Sequence, residues 1–324
     1  MSNASRVAPY ITKALSVQSM ACCAVCLEEG AKYACECTAY HEDCLSHVLM
    51  RSGANLCKIC HTKYEPDMLA AASEIAYEKT RDAFGNAHSA TRMRKLELAS
   101  ALADADQAPR AKALYLELIA SDSDPKWIHA VASIELARLE KNSGDASRAR
   151  DRLEELLPCL LREKDRWAFY ERIELSTVLG SCYVALRNWE NAETFLFMAI
   201  DSHLSNERAN YRHVFRCMGE IANFYDARDM IPLAHETRRV ALNILRSEEE
   251  NLATIALAQM DLANTEVAMG EKSLAARRYA EAIHILRKRR SSNALGALPD
   301  ARKSLACIVS PSRRLRCKTL PEDC

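Results

Sequence analysis

The clearest pattern along the chain is a small residue that directly follows an apolar one and recurs at a nearly regular interval. Twelve positions after each small residue stands an alanine, and seven positions beyond that alanine stands a further apolar residue. The successive small residues are 38, 43, 42 and 41 positions apart, which indicates stacked copies of one supersecondary unit. The five triplets are Ala99, Ala111 and Leu118; Ala137, Ala149 and Leu156; Gly180, Ala192 and Ala199; Ala222, Ala234 and Ala241; and Ala263, Ala275 and Ala282.

Each repeat is predicted to be a pair of helices that approach each other closely. A small residue on the first helix leaves room for the second helix, whose own alanine completes the contact. Gly144 and Gly270 stand between the two helices of two repeats, where glycine ends a helix without steric penalty. The chain has only 8 glycines and 9 prolines, which favours helix nearly throughout.

The ends of the array are also marked in the sequence. Pro66 can begin a helix that continues through an apolar-periodic stretch to Phe84, and Gly85 can end it. Near the C-terminus, a helical stretch around 300–308 is a candidate cap for the last repeat.

Charge and composition argue against some classes of binding partner. Lysine plus arginine and aspartate plus glutamate number 44 each, so the balanced chain offers no electrostatic case for binding nucleic acid or an anionic membrane. No window approaches the ~20 apolar residues of a membrane span, and the first residues lack the apolar core of a signal peptide. We therefore expect a cytoplasmic or nuclear protein, in which thiols stay reduced and clustered cysteines favour a metal over disulfides.

Eight of the 14 cysteines are crowded into one short segment, Cys22–Cys60. Four pairs of nitrogen and sulfur ligands there suit two tetrahedral zinc ions, and because both sites are closed, the zinc is expected to be structural. Each ion would contribute on the order of 10 kcal/mol to a segment too short for a core of its own. Cys22 could replace Cys23, although its spacing to Cys26 suits a zinc knuckle less well. The pairs are Cys23 with Cys26, Cys35 with Cys37, His41 with Cys44, and Cys57 with Cys60.

The order of these ligands, four cysteines, one histidine and three cysteines, resembles that of the RING-CH class of zinc fingers found in ubiquitin ligases. The segment HEDCLSHVLMRSGANLCKICHTKY is similar to the end of that finger, and the resemblance covers residues 20–65. A PHD finger has the same ligand order and stays an alternative, although the tryptophan usual before its last cysteine pair is absent. The RING-CH resemblance implies a cross-brace with two Zn²⁺ ions, one held by Cys23, Cys26, His41 and Cys44 and the other by Cys35, Cys37, Cys57 and Cys60.

A RING-type finger has no nucleophile of its own, and the resemblance implies that it positions a ubiquitin-conjugating enzyme for transfer. The family's docking groove uses the residue between the first two ligands, here Val25, and usually a tryptophan four positions after the sixth ligand, here Val48. The position after the last ligand, often arginine or lysine in active fingers, is His61. Val25 fits the family pattern, whereas Val48 and His61 depart from it.

The repeats resemble tetratricopeptide (TPR) repeats, as in the segment LGSCYVALRNWENAETFLFMAI, and their period is similar to that of the longer variant in kinesin light chains. The period also overlaps that of HEAT and armadillo repeats, but the small-residue positions match TPR. The resemblance implies a curved array whose concave face binds a peptide or a protein surface. Asn223 and Asn264 share one register of successive first helices; they are candidate groove residues, with solvated side chains as the alternative interpretation.

The sequence contains no glycine-rich phosphate loop, His-Glu-x-x-His pair or nucleophile elbow, which argues against a small-molecule enzyme. It predicts a mainly α protein, in which a small two-zinc cross-brace finger precedes an all-α TPR-like solenoid. The predicted function is that of a RING-type ubiquitin ligase, whose finger recruits a conjugating enzyme and whose repeats recruit a protein substrate. The alternative is a zinc-stabilised scaffold without transfer activity. The predicted units are residues 1–19, a flexible N-terminus; 20–65, the finger; 66–290, the repeats; and 291–324, a tail.

Overall fold

The computed structural model describes residues 23–26, 31–33, 39–52, 64–121, 125–205, 211–247, 252–287 and 292–309. Within them, the two short strands Lys32–Tyr33 (β1) and Ala39–Tyr40 (β2) pair antiparallel. The prediction of a mainly α protein is confirmed. The helices in these stretches are α1 (Glu42–Ser52), α2 (Pro66–Phe84), α3 (Ser89–Asp104), α4 (Ala108–Ile119), α5 (Lys126–Asn142), α6 (Ala146–Arg162), α7 (Arg166–Ala185), α8 (Trp189–Leu204), α9 (Tyr211–Ala227), α10 (Ile231–Ser247), α11 (Leu252–Ala268), α12 (Lys272–Arg287) and α13 (Ser292–Val309).

The five predicted helix pairs are confirmed as α3 with α4, α5 with α6, α7 with α8, α9 with α10, and α11 with α12. All five small residues of the first helices are buried, and so are the five alanines twelve positions later. The contact is tightest in the third repeat. A Cβ added at Gly180 would lie 2.7 Å from Cγ of Leu196 and 3.2 Å from its backbone nitrogen, so any larger residue there would force Leu196 to shift.

The turn between the two helices has the same backbone conformation in all five repeats. Seven positions after the small residue, the chain is left-handed, with φ between 57° and 91°. The next N–H then donates to the carbonyl five positions back, which ends the first helix in a Schellman-type turn. Glycine was expected at two of these turns, but the other three have larger residues. The left-handed residues are Asp106, Gly144, Arg187, Asp229 and Gly270.

Neighbouring repeats are joined by polar contacts between their first helices. The carboxylate of Glu174 on α7 accepts hydrogen bonds from Arg138 on α5 at 3.3 Å and from His213 and Arg216 on α9. Only 12% of the Glu174 side chain is exposed. One carboxylate therefore holds three successive first helices together.

The apolar core at the start of the array includes the segment that carries the predicted finger. One cluster of buried side chains extends from Cys23 through Met68 of α2 to Leu136 of α5. Tyr40 of β2 and Tyr64 also meet edge to face, with ring centroids 6.0 Å apart. The segment thus packs directly on the array, a contact that the sequence pattern did not indicate.

The far end of the array is covered by α13, which packs on α12 through Leu298 and Ala301. This helix begins at Ser292, earlier than the predicted stretch around 300–308, and it accommodates Pro299 in its interior. A proline inside a helical pattern usually marks a boundary, which is why the sequence indicated a shorter helix. Residues 1–19 and 310–324 lie outside the described residues.

None of the helices in the described stretches combines the length and the apolar character that crossing a membrane requires.

We predict that Gly180→Ala destabilises the protein by about 1–3 kcal/mol, because the added Cβ would overpack against Leu196. The matched control is Gly219→Ala, also inside a first helix, where a Cβ would meet no atom within 4 Å. There the helix propensity of alanine should raise stability by about 0.5–1 kcal/mol. Chemical denaturation measures both free energies of unfolding, and equal shifts would contradict the close contact at Gly180.

A second prediction concerns pH. Burial alone would raise the pKa of Glu174, but the hydrogen bond from His213 and the charge of Arg216 outweigh burial and lower it to about 2. A carboxyl whose pKa falls on folding stabilises the fold above its unfolded pKa, and that stabilisation is lost as the pH falls towards 2. We therefore expect Glu174→Gln to lower the thermal midpoint more at pH 7 than at pH 3. The exposed Glu155 of α6 provides the control Glu155→Gln, and an equal loss for Glu174→Gln at both pH values would refute this account.

Candidate metal centre

Four of the predicted zinc ligands converge near the start of the described chain. The side chains of Cys23, Cys26, His41 and Cys44 offer one ligand atom each, and these atoms all lie within 4.8 Å of one another. Cys26 Sγ and His41 Nδ1 are 3.4 Å apart. Cys23 is buried, His41 and Cys44 are partly buried, and Cys26 is exposed. The group could bind one metal ion, and three thiols with one imidazole are the donor set of a closed zinc site.

A turn, a strand and a helix position these ligands. The first two cysteines flank a turn that is tied to β2 by a 3.0 Å hydrogen bond from the Ala24 N–H to the Ala39 carbonyl. His41 directly follows β2, and Cys44 lies in the first turn of α1. The His-x-x-Cys spacing brings both side chains to the same end of that helix, because residues three apart share a helix face.

The thiols affect one another's ionisation. Burial raises the pKa of Cys23, but hydrogen bonds from the backbone N–H groups of Cys26 and Val25 outweigh burial and lower the pKa to about 6. Burial and the neighbouring sulfurs of Cys23 and Cys26 raise the pKa of Cys44 to about 12. Three adjacent thiolates would therefore repel one another without a cation between them. A divalent ion removes this repulsion, because metal-bound thiols are deprotonated, so the donor set fits zinc electrostatically as well.

The cluster combines the first ligand pair with the third. The second pair, Cys35 and Cys37, stands between them in the sequence. Such interleaving is the arrangement that the RING-CH resemblance implies for one of its two zinc ions. The ligands predicted for the other ion lie outside the described residues, as do Cys22 and His61, so the second zinc stays a prediction. Those ligands are Cys35, Cys37, Cys57 and Cys60.

The residues predicted to contact a conjugating enzyme lie in different surroundings. Val25, in the turn between the first two ligands, is 50% exposed. Val48, on α1, is partly buried and packs against the core that α1 shares with α2. One predicted contact position is thus at the surface, while the other contributes to internal packing.

Polar contacts also fix α1 on the array. The ammonium of Lys79 on α2 pairs with the carboxylate of Asp43 at 2.6 Å, and the guanidinium of Arg94 on α3 donates to the carbonyl of Met50 at 3.0 Å. Sequence reasoning missed these residues, because neither their type nor their spacing distinguishes them from other surface positions.

The predicted groove residues Asn223 and Asn264 are both exposed on first helices. The side-chain oxygen of Asn223 accepts a hydrogen bond from Arg238 at 3.3 Å, and that of Asn264 accepts one from the Tyr279 hydroxyl. Both donors lie on the second helix of the same repeat. The amide oxygens therefore tie the two helices together, which neither sequence interpretation anticipated.

Comparison with known proteins supports the repeat fold. No protein-family model matches the chain, and no curated protein matches it. Among solved structures, BtubC (BKLC) from P. vanneervenii is similar at a TM-score of 0.51 and 16% identity, over 68% of this chain and 90% of that one. A Podosopora anserina protein with nearly identical TPR-like repeats, named after kinesin light chain, has a TM-score of 0.43 and 16% identity, over 64% and 94%. The first similarity supports the fold alone: the repeats form a TPR-like helical array.

We predict that Cys44→Ser lowers the zinc content of the full-length protein by about one ion per chain, because it removes one of four clustered ligands. The control is Cys159→Ser, which changes an exposed cysteine of α6 outside the cluster. Elemental analysis should find a loss only in Cys44→Ser. The thermal midpoint should fall in the same variant, because the cluster shares its core with α2. Unchanged zinc in Cys44→Ser would argue against this site.

Proposed function

We propose that the protein is a RING-type ubiquitin ligase, in which the finger recruits a ubiquitin-conjugating enzyme and the repeats recruit a protein substrate. The repeats account for the binding of a protein partner, because TPR-like arrays mediate protein–protein interactions. The observation that carries the finer proposal is the convergence of the first and third ligand pairs within 4.8 Å. Interleaved ligand pairs are the cross-brace expected of a RING-type finger.

Such a finger would act by positioning alone. The conjugating enzyme carries the ubiquitin thioester, and the ligase restricts its orientation towards the acceptor lysine. Val25 supports this role, since its exposed side chain offers an apolar contact directly beside the metal cluster. No nucleophile of this chain takes part in the proposed transfer.

The test is self-ubiquitination by the purified full-length protein across a panel of conjugating enzymes, with zinc content measured in parallel. We expect Val25→Glu to reduce transfer at least about tenfold while zinc stays bound, because a charge would be buried in an apolar contact. The matched control is Val240→Glu, at an exposed valine of α10. The Cys57→Ser/Cys60→Ser double variant should be inactive and should contain less zinc.

Two results would count against this proposal. Transfer by Val25→Glu at the level of the unmodified protein would exclude docking at Val25. Absence of transfer by a fully zinc-loaded protein with every conjugating enzyme would exclude the ligase itself.

A second candidate function is a zinc-stabilised scaffold without transfer activity. The observation that favours it is the packing of Val48 against the core, at the position where active fingers usually present a tryptophan to the conjugating enzyme. In that case the finger would cover the apolar side of α2 at the start of the array, and solenoids require such a cover at their termini. A titration with conjugating enzymes separates the two functions. The scaffold predicts no binding, even by Val48→Trp, whereas binding that Val48→Trp strengthens favours the ligase.

A further inference from the structure

The first helices of the repeats meet on one side of the array. Lys141 of α5 reaches the Ser181 hydroxyl of α7 at 3.1 Å and the Glu220 carboxylate of α9 at 3.4 Å. Glu174 links the same three helices. We call this side of α3, α5, α7, α9 and α11 the first-helix face.

An acidic row follows this face. The position two before the small residue is a carboxylate in four of the five repeats, namely Glu97, Glu135, Glu220 and Asp261. The net negative charge of the row depends on which of its members are paired with a cation of the chain. The first three members are each paired with an arginine or a lysine, whereas Asp261 is not among the ion pairs of the described residues.

Two carboxylates of this face, Glu171 and Asp261, accept no side-chain hydrogen bond or ion pair from the residues that the structure describes. Glu171 is half-buried, and burial together with the charges of Glu174 and Glu135 raises its pKa to about 7. The surrounding protein displaces water around Asp261 and raises its pKa as well, although the side chain stays accessible. The charges of Arg216, near Glu171, and of Arg238, near Asp261, offset burial only in part, so each carboxylate would gain from a further cation at hydrogen-bonding distance.

Each unpaired carboxylate has a large apolar side chain one helical turn before it. Trp167 precedes Glu171, and Leu257, which is 37% exposed, precedes Asp261. Residues four apart lie on the same helix face. Lysine and arginine combine a cationic head with an apolar stem, and a tryptophan ring also attracts cations. The pairing of acid and apolar group suits such a side chain better than a hydrated metal ion.

We propose that the first-helix face binds a basic segment of a partner protein, with Glu171 and Asp261 as the carboxylates that receive its lysine or arginine side chains. That this partner is the substrate of ubiquitin transfer rests on the proposed function. The binding of a basic segment does not depend on it. Binding would leave the existing pairs of Glu97, Glu135 and Glu220 intact, because the two receiving carboxylates are separate from them.

The test uses a fluorescein-labelled twelve-residue peptide with arginine at every third position, and a matched peptide with glutamine in place of arginine. Fluorescence anisotropy with the full-length protein should detect saturable binding of the arginine peptide only. Glu171→Gln and Asp261→Asn should each weaken this binding by about tenfold, as expected for the loss of one charge-assisted contact. The control Glu155→Gln, at an exposed carboxylate on the second helix of a repeat, should leave it unchanged.

Folding is checked by thermal unfolding of the same variants. Each substitution removes an unpaired charge, so the midpoint should stay constant or rise while binding falls. Equal binding of the two peptides, or unchanged binding by the double variant Glu171→Gln/Asp261→Asn, would overturn the proposal. Binding seen only in a variant that ends at Val309 would also overturn it, because the chain's own basic segment 312–318 would then be the occupant. The assay contains no ubiquitin or conjugating enzyme, so its outcome is independent of ligase activity.

Discussion

Close contact between the two helices of each repeat is the constraint on which the array depends. Buried alanines occupy both positions in four repeats, and in the third a Cβ at Gly180 would clash with Leu196. Helices this close leave little freedom for the connection between them, and the same left-handed turn occurs at the same register each time. The contact therefore also determines which side of each first helix faces the next repeat, and so which residues form the first-helix face.

The acidic residues of the first helices fall into two groups, those that are paired with the second helix of their repeat and those that are not. Glu140 and Glu266 face the second helix, are buried, and are paired with arginines twelve positions later in the chain. Glu171 and Asp261 accept no hydrogen bond from an arginine among the described residues, although Arg216 and Arg238 act on them electrostatically. An unpaired, partly desolvated carboxylate destabilises a fold. The buried carboxylates of the same helices, Glu140, Glu174 and Glu266, are all paired, which agrees with the proposed role of Glu171 in binding an external cation.

Much of the array could be predicted because its defining contact is local. The small residue and its partner alanine are twelve positions apart, so one spacing rule identifies every pair. The left-handed turns at Arg187 and Asp229 could not be predicted from glycine, because the helix contact imposes that backbone on whichever residue is present. The spacing of cysteines and histidine likewise indicates the ligand pairs, but it does not indicate which two pairs share a metal ion. That assignment came from the resemblance to RING-CH fingers. The packing of Val48 on the array involves ordinary residues distant in sequence, and it had no local signal.

This packing changes how a finger and a set of repeats can work together. Two modules on a flexible linker meet at an effective concentration set by linker length. Here a continuous core from Cys23 to Leu136 and the Lys79–Asp43 pair join them directly. The distance from the metal cluster to Glu171, in the third repeat, then depends on how the repeats stack. An enzyme docked at Val25 would reach only those acceptor lysines that the bound partner presents at that distance, so substrate choice would depend on geometry as well as on affinity. In a scaffold the same packing would hold two partners at a set separation, which is why the finger's contact with α2 matters for either function.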